Sequence, residues 1–177
     1  MSNPELLVHL RRAVSRGEPI QLASGATSDV YVDGRKVSLD PQGSLLLAQE
    51  ILAVAQRWEA SVLAGPVTGA CPLVSATGVV AAQQQVPLKL IYVRGAPKGH
   101  GLGKQVEGAA IGADDTVLFV EDVVTSGGSV LRAIEAVADQ AKVLGVWCMV
   151  DREAGGREKI EAAGYRFESL AKLSDLS

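Results

Sequence analysis

This 177-residue chain has few aromatic side chains, 4% of the total, and only two cysteines. With so few rings, its core must be filled by Ala, Val, Leu and Ile, and at 47% hydrophobic residues it has enough of them for one packed α/β domain. Cys71 and Cys148 lie far apart, with neither zinc-ligand spacing nor a CxxC pair, so they read as reduced, packed thiols. No apolar run reaches the roughly 18 residues of a membrane span. The polar start MSNPELL is no secretory signal, so a cytoplasmic protein without membrane contact is expected. Neither sign of charge dominates, with 17 Lys and Arg against 20 Asp and Glu and a net charge of -3. That balance argues against nucleic acid as a partner, and any anionic ligand must be held by a local cluster of cations. Internal repeats, low-complexity tracts and linkers are also missing.

What is present alternates between two periodicities. Residues 6–16 read as a helix, and residues 20–33 as β-type sequence broken by the turn formers Ser24, Gly25 and Ser28. Asp40-Pro41 marks a helix start, a capping acid followed by proline at the first position, with apolar residues 47, 51, 54, 55 and 58 on one face. Strands are then expected at 61–64, 88–93, 116–120 and 143–150, and helices at 72–85, 128–140 and 156–163. This order predicts an α/β fold, a parallel sheet flanked by helices on both faces. Ligands of such sheets collect at the carboxyl ends of the strands, where Gly65, Arg94, Glu121, Asp122 and Arg152 fall. His9 and Trp58 read as structural residues.

The segment TVLFVEDVVTSGGSVL, residues 116–131, is the most telling. An apolar strand runs into Glu121 and Asp122, then through Val123, Val124, Thr125, Ser126, Gly127, Gly128 and Ser129 into an amphipathic helix. Glycines let backbone approach an anion, and the first N–H groups of a helix point at a phosphate placed there. Hydroxyls of Thr125, Ser126 and Ser129 add donors, while two carboxylates can accept from vicinal sugar hydroxyls. The segment therefore suits a phosphorylated ribose. TSGGS alone would also serve as an ordinary strand-to-helix connection, but adjacent acids at a strand end repel unless something pairs with them. Two other phosphate motifs are excluded. Gly103-Lys104 has Lys98 where a Walker loop needs glycine and Gln105 where it needs Ser or Thr, and Gly101-x-Gly103 meets Val106 in place of a third glycine.

Residues 95–112 hold six glycines among eighteen residues, interleaved with Lys98, His100 and Lys104, too long a connection for a compact domain unless it serves a function. The plain reading is a solvated excursion or short hairpin. The functional reading is a flexible catalytic lid that excludes water and neutralises an anionic leaving group.

VLFVEDVVTSGGS resembles the 5-phosphoribosyl-1-diphosphate (PRPP) signature of the type I phosphoribosyltransferases. LASGATSDVYVD (22–33), GPVTGACPL (65–73), YVRGAPKGHGLGKQVEG (92–108) and VDREAGG (150–156) further resemble the orotate branch of that family, so the likeness spans nearly the whole chain. The resemblance implies the type I phosphoribosyltransferase fold, with a small N-terminal hood at about 1–38 on a core at about 39–177 within a single domain. It implies Mg2+-dependent transfer of phosphoribose from PRPP to orotate. PRPP would be bound by residues 121–129, with Glu121 and Asp122 on the ribose hydroxyls, 125–129 on the 5-phosphate, and Arg94, Lys98 and His100 on the diphosphate as the catalytic cations. Orotate would touch Ser24, Gly25, Tyr31, Thr125 and Arg152. The magnesium would be held mainly by PRPP and water, with no dedicated protein ligands, and the enzyme would be a homodimer whose loop acts across the interface.

Arg152 is also chemically apt, since its planar fork matches a pyrimidine carboxylate or carbonyl, although a strand-end salt bridge with Asp151 or Glu153 is the plain alternative. Tyr31 could stack on a base or simply pack. By the resemblance, the chain departs from many relatives at Gly95 and from some at Ala23 and Gly69, where they carry lysine and other branches do not. The remaining alternatives are a phosphoribosyltransferase for another nucleobase and a non-catalytic PRPP-sensing regulator. The latter typically carries a nucleic-acid-binding module or basic face that this acidic chain lacks.

Overall fold

The computed structural model describes residues 4–21, 27–95 and 105–176. The chain opens with α1 (Pro4–Ala13), whose Leu6, Leu10 and Ala13 form one buried stripe. The helix stops three residues before the expected end. Val14 instead starts β1 (Val14–Gln21), which pairs antiparallel with β2 (Thr27–Val32) in the register Val14 to Val32. One helical turn, α2 (Arg35–Ser38), leads into α3 (Pro41–Arg57). The predicted cap is in place, as the Asp40 carboxylate accepts from the Gly43 N–H at 2.7 Å.

The rest of the chain builds a six-stranded sheet from β3 (Val62–Pro66), α4 (Cys71–Gln83), β4 (Lys89–Val93), β5 (Val106–Gly108), β6 (Thr116–Val124), α5 (Gly128–Glu135), β7 (Lys142–Asp151), α6 (Gly156–Ala162) and β8 (Arg166–Lys172). Its order is β5-β4-β3-β6-β7-β8, parallel throughout except for β5, which runs antiparallel to β4 at one edge. Alternate residues feed two cores. Leu63, Leu118, Val120, Trp147 and Met149 pack with α1, α3 and α4, while Ala64, Phe119, Val146 and Cys148 pack with α5 and α6. Aliphatic residues dominate both, as the composition requires.

Two strands escaped the sequence reading. β8 is short and charged, and only its parallel pairing with β7 buries Phe167, Leu170 and Ala171. β5 lies within the presumed loop, where Val93 pairs with Val106 and Ile91 with Gly108. The end of β6 also differs. The strand continues to Val124 because β7 keeps pairing with it through Val150 and Asp151, so Glu121 and Asp122 lie within the strand rather than beyond its tip. Conversely, α5 ends at Glu135 rather than at residue 140.

Candidate active site

The carboxyl ends of β3 and β6 frame a cleft of about 390 Å³. One wall is residues 66–69, where the Val67–Thr68 peptide is cis, and the other is residues 121–130. Gly127, at φ +70, turns the chain from β6 into α5, a left-handed backbone that only glycine adopts without strain. The turn leaves the first N–H groups of α5 without helical acceptors beside the cleft. Gly156 supports this loop from behind. A Cβ there would stand 2.6 Å from the Thr125 carbonyl oxygen and 3.1 Å from the Gly127 nitrogen. The sequence motif around Gly156 therefore shapes the 125–129 turn from another element, which spacing alone did not reveal.

A second cavity, of about 300 Å³, opens beside the first. Tyr31, Asp33, Gly34 and Arg35 line it on the hairpin side, with Arg152 at its other edge, and it shares Thr68, Gly69, Asp122, Val123 and Thr125 with the first. The two compartments thus meet at Asp122 and Thr125. Arg152 is buried and its Nη2 donates to the Val30 carbonyl at 2.7 Å, tying the hairpin to the end of β7; burial lowers its pKa. The alternative salt-bridge partners are engaged elsewhere, Asp151 with Arg157 at 3.2 Å and the Glu153 carboxylate with Ser174. Thr68, Gly34 and Arg35 were not singled out from the sequence. Arg35, held loosely by Asp33 at 3.4 Å, carries a signal that could have been read, a cation two residues beyond an acid in the segment VYVDGRK.

The acidic pair is not the exposed pair expected. Glu121 is 7% exposed, and burial first, then the charge of Asp122, pushes its carboxyl well above the usual range. The Glu121 and Asp122 side chains interact, and burial also raises the Asp122 carboxyl, opposed by the Val123 N–H at 2.8 Å and by the charge of Arg35. Burial also raises the Cys148 thiol, ahead of the charges of Asp151 and Glu121, consistent with a packed, protonated thiol.

A carboxyl whose pKa rises on folding gives stability that is full below its unfolded value of about 4.3 and fades as pH rises through the folded pKa. Glu121→Gln, which cannot ionise, should therefore raise the melting temperature near pH 8 by a few degrees while changing it little near pH 4. Thermal unfolding across that range checks it, and a variant no more stable at pH 8 would count against a raised Glu121 carboxyl.

Of the remaining expected site residues, Arg94 lines neither cavity. Its Nη1 pairs with Glu107 Oε1 at 3.6 Å, and its main chain is clamped to Gln105 by Arg94 N–H to Gln105 O at 2.9 Å and Gln105 Nε2–H to Arg94 O at 3.0 Å. Ser24, Gly25, Lys98, His100 and Lys104 lie outside the described residues.

A mostly parallel sheet carrying a glycine-turned anion loop and an acidic pair at its carboxyl edge defines a transferase of phosphorylated ribose, and the phosphoribosyl transferase domain family model matches residues 45–167. The chain belongs to the phosphoribosyltransferase family, and within it to the orotate phosphoribosyltransferases. It is 37% identical over 172 residues to the orotate phosphoribosyltransferase of Aquifex aeolicus, spanning 96% of this chain and 93% of that one. The Mycobacterium tuberculosis orotate phosphoribosyltransferase in complex with Fe(III) dicitrate matches it with a TM-score of 0.82 at 36% identity, covering 98% of this chain and 97% of the other. The same enzyme in complex with PRPP gives 0.77 at 34% identity, covering 97% and 96%.

Proposed function

We propose that this enzyme transfers the phosphoribosyl group of PRPP to orotate, giving orotidine 5'-monophosphate, the precursor of UMP, and diphosphate. The observation that carries this reading is the meeting of the two cavities at Asp122 and Thr125. A ribose 5-phosphate seated on residues 125–129 would bring its anomeric carbon to that junction, facing a base in the second cavity. A ring nitrogen of orotate then forms the new C–N bond as the C–O bond to diphosphate breaks, and the electron pair leaves with diphosphate. Orotate, once deprotonated, needs neither a protein nucleophile nor a strong base, so the protein's work is positioning, charge stabilisation and water exclusion. The carboxylates of the Glu121–Asp122 pair would stabilise the positive charge that develops on the ribose.

Among the described residues no three His, Cys, Asp or Glu side chains gather to cage an ion. The donor set at hand, one acidic pair, suits a magnesium ion that keeps its waters and takes its other oxygens from PRPP. When bound, the ion would neutralise charge on the diphosphate.

Tyr31, Thr125 and Arg152 are assigned to orotate, with Ser24 and Gly25 completing its site from the hood, residues 1–38, over a core at 39–177 in one domain. Lys98, His100 and Arg94 are assigned to the diphosphate. By the family resemblance, the enzyme works as a cytoplasmic homodimer in which the loop serves the partner's site. Among the described residues no helix is long and apolar enough to cross a membrane.

Diphosphate release measured with PRPP, magnesium and a panel of bases tests the reading, with strong preference for orotate expected. Equal use of adenine or hypoxanthine would overturn it. Gly95 offers a second check, because nothing stands within 4 Å of where its Cβ would be, so a lysine fits there. Gly95→Lys adds a cation near the leaving group and should raise turnover about threefold or more, as transition-state charge stabilisation predicts. Unchanged turnover and PRPP affinity would show that this position does not limit the rate.

A further inference from the structure

The first cavity presents its acids and hydroxyls with very little cationic charge. Among the described residues that line it, Arg132 is the one cationic side chain. Its position is informative. The Cα of Arg132 belongs to the last turn of α5, where the helix dipole favours a cation pointing outward. The side chain instead reaches back one turn, and Nη1 lies 3.4 Å from the point a Cβ on Gly128 would occupy. Ser126 Oγ approaches the same point at 3.7 Å. A guanidinium and a hydroxyl thus converge on the open space in front of Gly128, at the positive end of the helix, where a cation is unfavourable unless an anion joins it. Arg132 is exposed and forms no ion pair with any described residue.

We infer that Arg132 binds the 5-phosphate of the substrate directly, acting as a side-chain cation over a loop that otherwise offers backbone amides and hydroxyls. This inference rests on the phosphoribosyl transfer proposed above and extends it to a specific residue. A guanidinium suits the task because its planar fork can meet two phosphate oxygens at once, whereas a lysine offers one point of charge. Its presence also offsets the acidic pair across the cleft, against which a dianionic phosphate would otherwise be placed.

Ribose 5-phosphate is the discriminating probe, because it carries this phosphate and lacks the diphosphate. Calorimetric titration should show Arg132→Gln binding it about tenfold or more weakly than the unaltered enzyme, the scale of a lost charge-assisted hydrogen bond. Arg132→Lys should recover part of the loss, and inorganic diphosphate should bind both variants as it binds the parent. In steady state the KM for PRPP should rise with kcat changed by less than about threefold, the pattern of an interaction made equally in ground and transition states. The ligand-free Arg132→Gln variant should melt no lower than the parent, since the arginine has no partner to lose. Equal affinity of Arg132→Gln and parent for ribose 5-phosphate would overturn the inference, as would a lowered melting point without ligand, which would make the arginine structural. If the unaltered enzyme bound neither ribose 5-phosphate nor PRPP, the proposed function would fail and this inference with it. A defect confined to Arg132→Gln supports both.

Discussion

Lys98→Ala should reduce turnover about a hundred- to a thousandfold, the scale of losing one preorganised charge at a developing anion. Among the described residues, the cations near the cleft make this loss hard to compensate. Arg94 is paired with Glu107 at 3.6 Å and lines neither cavity, Gly95 supplies no charge, and Arg132 stands beside Gly128. Under the proposed assignment of Lys98, His100 and Arg94 to the diphosphate, Lys98 would then carry a large share of its neutralisation. The fold should be indifferent to the change. The strands on either side of this segment are fixed by the pairing of β4 with β5 and by the Arg94–Gln105 clamp. Steady-state diphosphate release together with a thermal melt makes the check, and a variant with normal melting and near-normal turnover would remove Lys98 from the chemistry.

The sheet, its helices and the anion loop could be read from the chain because each is a local pattern. Strands such as 116–120 are continuous apolar runs, α3 carries its cap and apolar stripe together, and the turn at Gly127 is written in glycine. Features that depend on distant pairing could not be read in this way. Glu121 is buried because β7 continues alongside it as far as Asp151, which nothing in residues 116–124 announces. β8 is recognisable as a strand only once β7 covers it. Arg152 is held by a carbonyl 122 positions earlier, and Gly156 matters because it touches the backbone of Thr125. Both residues fall in VDREAGG, a segment singled out through the family resemblance, and packing supplies the physical reason for each. The second cavity was half visible. Tyr31 and Arg152 were expected there, while Gly34, Arg35 and Thr68 come from turns whose residues carry no strong periodic signal.

Gly69→Ala should lower kcat/KM about a hundredfold, although a methyl group is the smallest possible addition. In the sequence, Gly69 and Gly95 look alike, two glycines where the family resemblance gives lysine in some relatives at 69 and in many at 95. Their surroundings make them opposites. Gly95 faces open space, whereas a Cβ on Gly69 would stand 2.7 Å from Asp122 Oδ1 and 2.9 Å from its carboxyl carbon. Asp122 cannot easily yield. Its Oδ1 accepts from the Val123 N–H at 2.8 Å, and on its other side a Cβ on Gly34 would already be 3.1 Å from Oδ2. The carboxylate is therefore held between two glycines, and a methyl on one side must tilt it away from the ribose position or push the 66–69 wall into the cleft. Displacements of about an ångström at a reacting centre cost on the order of a hundredfold in rate. Because residue 69 belongs to a loop beside the cleft and not to either core, the melting point should stay within a few degrees of the parent's. Gly69→Lys should do no better than alanine, since its Cβ meets the same oxygen, while Gly95→Lys improves the enzyme. If Gly69→Ala kept full kcat/KM with an unchanged melt, Asp122 would have room to move, and its assignment as the fixed anchor of the ribose would fail.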